Sequence, residues 1–210
     1  MAEISESDLR AAHTLFGARF DLAERYVEHL ATSGIERGLL GPREVPRLWS
    51  RHVLNCAVIA ELFPSEAMVA DVGSGAGLPG IALAIARPDL SLTLIEPLER
   101  RVIWLREVIT DLELPNVEVF RGRAEEAVGK VEATVVTARA VSALGGLAAM
   151  TIPILQGKGE LLAIKGQSAP EEVAKSRKLI RKLGGRDVTV QQVGGELLEQ
   201  PTTVVRVLVG

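Results

Sequence analysis

The residues best placed to do chemistry form one run, Asp71-Val72-Gly73-Ser74-Gly75-Ala76-Gly77-Leu78-Pro79-Gly80. Glycine lets a chain turn sharply with little side-chain bulk, so a ligand can lie against the main chain. Glu96 follows 25 residues after Asp71. An acid at the end of a neighbouring strand accepts hydrogen bonds from ribose hydroxyls, so a nucleoside-bearing cofactor is indicated. Arg123-Ala124-Glu125-Glu126 stands where such folds contact an adenine, although acids also suit the first turn of any helix. Arg139 could hold a carboxylate, a phosphate or the O6/N7 edge of a guanine. Arg51 and His52 could reach a substrate, and Lys165 a phosphate.

These residues need elements to hold them. Residues 1–64 read as a helical extension and residues 65–210 as the main domain. Within the extension, one helix covers Asp21 to Ala31. A second starts near Glu44 and carries Trp49, His52, Val53, Cys56 and Ile59, with Pro64 as its stop. From Met68 onward strands alternate with helices. Strands are expected at 68–72, 92–96, 117–120, 133–137 and 160–165, with helices at 78–87, 99–112 and 142–155. Ser168-Ala169-Pro170-Glu171 has the pattern of a capping box opening a helix that ends at Gly184-Gly185. Strands at 187–193 and 203–209 follow with no helix between them. The alternation implies a parallel sheet covered on both faces, closed by an antiparallel hairpin. The expected class is therefore α/β, a Rossmann-like mostly parallel seven-stranded sheet with an antiparallel last strand, as in class I S-adenosylmethionine-dependent methyltransferases.

The glycine run can be read in two frames. Gly75-Ala76-Gly77-Leu78-Pro79-Gly80 fits the G-x-G-x-x-G string of dinucleotide sites but leaves Asp71 and Gly73 unexplained. The frame Asp71-x-Gly73-x-Gly75-x-Gly77 uses them all and is the methyltransferase form of the loop. Absent motifs then narrow the acceptor. Attack at pyrimidine C5 needs a cysteine nucleophile, and the single cysteine, Cys56, falls in the helical extension. Exocyclic amine methylation commonly uses Asn/Asp-Pro-Pro-aromatic after strand four, where this chain has Thr137-Ala138-Arg139-Ala140. Guanine N7 carries a free lone pair and needs no general base, only alignment.

Arg51-His52-Val53-Leu54-Asn55, the loop ending Leu78-Pro79-Gly80, Thr137-Ala138-Arg139-Ala140 and Lys165-Gly166-Gln167 together resemble the glucose-inhibited division protein B family, over nearly the whole chain. The resemblance implies methylation of guanine N7 in the 530 loop of 16S ribosomal RNA, on free RNA or a small-subunit particle, with S-adenosylmethionine. It also implies cofactor contacts by Gly73, Leu78, Ala124, Glu125 and Arg139, beside the Asp71, Gly75, Gly77 and Glu96 of the loop reading. Arg139 would orient the reactants. One departure is plain: the family often shows His-x-Leu-Asp-Ser, and this chain has His52-Val53-Leu54-Asn55-Cys56.

Composition sets the remaining bounds. The 210 residues carry a net charge of −3, with 47% apolar and 24% charged residues, so disorder is excluded as the dominant state. That charge conceals a split: residues 66–134 sum to −5 and residues 135–210 to +4. The basic run Lys175, Arg177, Lys178, Arg181 and Lys182 offers an RNA-facing patch with Arg123, or simply complements the end of its helix. One cysteine rules out an intramolecular disulfide and any multi-cysteine metal site, and no metal is expected. The opening MAEISESDLR is acidic with no apolar run, so no signal peptide is expected. The uncharged stretch from Ala140 to Gly157 reads as a buried helix rather than a membrane span. A cytoplasmic monomer is the expected form.

Overall fold

A computed structural model describes residues 4–139 and 142–210. Seven strands form one sheet: β1 (Met68–Val72), β2 (Ser91–Glu96), β3 (Val117–Arg121), β4 (Val135–Arg139), β5 (Gly159–Lys165), β6 (Gly185–Val193) and β7 (Thr202–Val209), in spatial order β3-β2-β1-β4-β5-β7-β6. The first five are parallel, and β7 runs antiparallel between β5 and β6. Chain order reverses at β1, with β2 on one side and β4 on the other. In open α/β sheets ligands bind at such a reversal, beyond the carboxyl ends of the strands.

The N-terminal segment is mostly helical but not regular, with a non-helical link at residues 37–41. Helix α1 (Glu6–Phe16) starts at Ser5, whose side chain accepts from the Asp8 N–H. Helix α2 (Phe20–His29) runs into a wide turn at Leu30–Gly34. The single helix expected from Glu44 to Ile59 is instead four pieces: tight turns at Pro42–Arg47, a wide turn at Leu48–Val53, the short α3 (Leu54–Ala57) and tight turns at Val58–Leu62. Pro42 suits a first helical position, but Pro46, inside the run, has no N–H to donate and denies it an α-helical ladder.

Helices α4 (Gly80–Ala86) and α5 (Glu99–Asp111) join this segment on one face of the sheet, around Val69, Leu92, Leu94 and Val135. The other face buries Ala70, Val72, Val136 and Ala138 under α6 (Ala124–Ala127), α7 (Leu144–Thr151) and α8 (Ala169–Lys182). Side chains alternate along a strand. Asp71 therefore points to the N-terminal side, and so does Arg139, two residues from Thr137 and four from Val135.

Other expectations shift in detail. Helix α7 covers Leu144–Thr151 and gives way to tight turns at Ile152–Leu155, because Pro153 ends its ladder. Ala140 and Val141, the start of the uncharged stretch, lie outside the described residues. No described helix is long and apolar enough to cross a membrane. The capping box does not form. Ser168 makes no capping bond but donates to Glu172 Oε1 at 2.9 Å, while Glu172 Oε2 takes the Leu144 N–H and the Lys165 ammonium. Lys165 and Leu144 offer Glu172 stronger partners, which accounts for the exchange. Both tryptophans are core residues: Trp104 is buried and donates to Ser33, and Trp49 stacks on Phe20.

Candidate cofactor and substrate site

The carboxyl ends of β1, β2 and β4 bring the glycine loop, Glu96 and Arg139 to one crevice. The loop adopts backbone conformations that favour glycine, with φ of 72° at Gly73, 57° at Gly75 and 81° at Gly77. Its start is tied to β2 by the Gly73 N–H, which donates to the Ile95 carbonyl at 2.9 Å. Its crown is braced from α2: the buried Tyr26 hydroxyl donates to the Ala76 carbonyl at 2.7 Å. The Leu78 N–H closes the loop onto the Ser74 carbonyl at 3.1 Å. The N-terminal segment is thus a structural wall of the site.

Glu96 is buried at the end of β2. Its Oε2 accepts the Gly75 N–H at 3.0 Å, its Oε1 accepts the Leu98 N–H at 2.9 Å, and Arg101 lies 3.6 Å away. A carboxylate offers about four lone-pair directions, so two N–H bonds leave acceptor capacity for a diol. Gly122, just past β3, donates to the Glu96 carbonyl at 3.2 Å, which sets buried Ala124 and exposed Glu125 beside that acid. A Cβ built on Gly75 would meet nothing closer than the Gly73 carbonyl at 3.7 Å, so the loop leaves room in front of it. Glycine cradle, ribose-type acceptor and the Ala124 edge fit S-adenosylmethionine. Gly73, Gly75, Gly77, Leu78, Glu96, Ala124 and Glu125 could hold it.

Asp71 lies beneath the loop. It is fully buried, Oδ2 accepts the Gly80 N–H at 3.1 Å, and Oδ1 has no protein partner among the described residues. Burial pushes its carboxyl up to about 7, opposed by the Gly80 N–H and reinforced by the charge of Glu96. An acid with a raised folded pKa binds a proton that the unfolded chain does not, between the two values. Stability therefore falls as pH rises toward 7 and stays lower above it. Asp71→Asn is expected to melt higher than the parent at pH 8, with the gap narrowing steadily as pH falls from about 7 to 5. Thermal melts across pH 5–8 check this, and an equal gap at both ends would count against it.

Arg139 emerges from β4 toward the N-terminal segment. Its Nη1 donates to the His52 carbonyl at 3.2 Å and lies 3.1 Å from Cys56 Sγ, while Nη2 donates to His52 Nδ1 at 2.8 Å. His52 Nε2 in turn donates to Glu44 Oε2 at 2.7 Å. The sequence marks His52 and Arg139 separately, as substrate and cofactor residues; the structure makes them partners and adds Glu44 and Cys56. Arg51, next along the wide turn, is exposed at the rim, as is Arg123 on the β3 side.

The remaining basic residues lie elsewhere. Lys165 closes β5 but is bound by Glu172 at 2.8 Å and the Ser142 carbonyl at 2.9 Å. Helix α8 begins near the site end of β5 and runs back toward the amino ends of the parallel strands. There Gly184 meets Gly210, and Gly185 pairs with Val209. A helix of 14 residues is about 21 Å long, so Lys175, Arg177, Lys178 and Arg181 lie progressively farther from the loop. Summed charge cannot show this, because it carries no direction along the helix.

Fold and loop place the chain in the Rossmann-like methyltransferases. The solved structures it resembles share the fold at low identity. A Methanococcus jannaschii TYW2, solved in complex with AdoMet, has TM-score 0.58 at 18% identity, over 77% of this chain and 76% of that one. A SAM-dependent methyltransferase from Aquifex aeolicus has TM-score 0.51 at 19% identity, over 90% and 99%. The family model GidB, rRNA small subunit methyltransferase G, matches residues 19–202. Proteins named ribosomal RNA small subunit methyltransferase G match along nearly their whole length. The one from Pseudarthrobacter chlorophenolicus is 69% identical over all of this chain and 97% of its own length. The one from Mycobacterium marinum is 54% identical over 93% and 86%. The chain belongs to the GidB family.

Proposed function

We propose that this protein transfers a methyl group from S-adenosylmethionine to N7 of a guanine in the 530 loop of 16S ribosomal RNA, in the cytoplasm and as a monomer. The observation that carries the reading is the meeting of the glycine loop, Glu96 and Arg139 at one sheet reversal, in a chain of this family. When bound, the cofactor supplies an electrophilic methyl on a sulfonium. Glu96 and the loop fix its nucleoside end. Guanine N7 enters with its own lone pair, so the site needs no base for the transfer. Asn55 at the place of the family's common Asp is compatible with that chemistry. Arg139 is a fixed cation that orients the reactants. Arg51 and Arg123, at opposite rims, take RNA phosphates, with Lys165 contributing where RNA displaces its internal partners.

The test is methyl transfer from labelled S-adenosylmethionine to free 16S RNA and to small-subunit particles, each isolated without the modification. Label should appear at a single guanine that becomes sensitive to reduction and aniline cleavage, the signature of N7 methylation. Label on another atom, or on neither substrate, would reject the reading. For α8 we propose a peripheral phosphate contact. Lys178→Glu with Arg181→Glu should weaken RNA binding a few-fold, lower the log–log salt slope by about 1–2, and leave kcat at saturating RNA unchanged. Binding measured between 50 and 200 mM salt decides it, and an unaltered slope removes α8 from the interface.

A further inference from the structure

We propose that Glu44 and His52 are positioning residues for Arg139: a hydrogen-bonded relay that fixes the guanidinium in the crevice and releases it in acid. The proposal rests on the cofactor reading given above for Arg139 but concerns residues that touch neither reactant.

The chemistry of the three groups dictates the direction of each bond. A guanidinium only donates and stays protonated at any accessible pH, so His52 Nδ1, at 2.8 Å from Nη2, must accept. A carboxylate only accepts, so His52 Nε2, at 2.7 Å from Glu44 Oε2, must carry the hydrogen. One ring form satisfies both ends, the neutral imidazole protonated at Nε2. Arg139 thereby spends three N–H groups on the N-terminal wall, two from Nη1 and one from Nη2. The guanidinium plane is set, and Nε–H and the second Nη2–H have no partner among the described residues.

Protonating His52 at Nδ1 would set N–H against N–H and cation against cation, and Arg139 would lose its shortest bond. The charged groups around the ring divide by sign. Arg139 from β4 and Arg51 on its own turn oppose the imidazolium, and burial opposes it most. Glu44 favours it, while the Cys56 thiol and Tyr26 hydroxyl are buried and neutral. Asp71, one strand away, is charged above about 7 and loses that charge first as pH falls, on the alkaline side of the His52 step. The balance holds His52 below the usual imidazole value, so release falls on the acid side of about 6.5. The Leu48–Val53 wide turn supplies the geometry, presenting both the His52 ring and its carbonyl to one guanidinium.

The chain contains three histidines, so ¹⁵N-histidine NMR resolves this ring. At pH 7.5 His52 should show an unprotonated Nδ1 and a protonated Nε2. S-Adenosylhomocysteine affinity, by calorimetry between pH 8.0 and 5.0, should fall at least tenfold in step with His52 titration. His52→Asn keeps an acceptor near Nδ1 but cannot titrate, so its affinity should stay within threefold across that range. Glu44→Gln removes the charge that favours imidazolium, so the midpoint should move to lower pH. Circular dichroism at each pH confirms a folded chain. A protonated Nδ1 at pH 7.5, an unshifted midpoint in Glu44→Gln, or an equal acid loss in His52→Asn would overturn the relay. Failure of RNA methylation with these titrations intact rejects only the proposed function. Absent S-adenosylhomocysteine binding rejects the cofactor reading, and the NMR still decides the ring state.

Discussion

Arg139→Ala should lower kcat/KM for methyl transfer to the small-subunit substrate at least 100-fold while leaving the chain folded. Its guanidinium meets His52 twice and Cys56 once, at the open end of the sheet reversal. No other described side chain delivers a cation to that place on β4. A preorganised donor at a reacting centre is worth on the order of 3 kcal/mol, which is two or more powers of ten in rate. Arg139→Lys should recover little. An ammonium is a point charge on a flexible stem and cannot span His52 Nδ1, the His52 carbonyl and Cys56 in one plane. The structural cost should be smaller than the kinetic one, because the side chain is only partly buried and water can refill the freed partners. For a chain of this size each kcal/mol moves the melting temperature by about 2–4 °C, so a drop of a few degrees is expected. Tritiated methyl incorporation, with melting temperature alongside, reads both quantities. A rate loss below threefold would mean that Arg139 is only a strut between β4 and the N-terminal wall.

The contrast between Arg139 and Glu44 shows what the sequence could carry. The order of strands and helices was legible because apolar runs of period two alternate with helical ones from Met68 onward. The loop was legible because Asp71, Gly73, Gly75 and Gly77 lie within seven residues of one another. Strand alternation even contains the direction of Arg139, since Val135, Thr137 and Arg139 share a face. What waits on that face was not legible. His52 and Glu44 lie 87 and 95 positions upstream, on a segment whose periodicity reads as one smooth helix. Pro46 and the wide turn at Leu48–Val53 break that helix into pieces and rotate His52 inward while Arg51 stays out. The misplaced cap on α8 has the same origin. Ser168 and Glu171 are neighbours in sequence, but Glu172 finds Lys165 and the Leu144 N–H, which only the packed fold brings near. Charge sums are blind to position for a related reason. The +4 of the last third is real, but most of it lies along a helix that leads away from the crevice.

Gly77→Ala should lower stability by roughly 2–5 kcal/mol and weaken S-adenosylhomocysteine binding more than tenfold. Two costs coincide at this position. The backbone φ of 81° lies in the region that L side chains rarely adopt, at about 1–2 kcal/mol. The new Cβ would also lie 2.4 Å from Ile81 Cδ1, 2.7 Å from Ile81 Cγ1 and 3.1 Å from the Tyr26 hydroxyl. Crowding of a packed core adds about 1–3 kcal/mol. It also falls on the Tyr26–Ala76 bond that holds the crown of the loop. Two companion variants separate the terms. Gly38 has a φ of 67° and nothing within 4 Å of its Cβ position, so Gly38→Ala should carry the backbone cost alone and leave binding unchanged. Ile81→Val deletes the Cδ1 atom, so combining it with Gly77→Ala should restore part of the stability lost to crowding. Binding should recover less, because the left-handed turn that shapes the crevice is still strained. Denaturant melts and calorimetry on the three variants measure each contribution. If Gly77→Ala binds as the parent does, the loop does not approach its ligand through the main chain at this glycine.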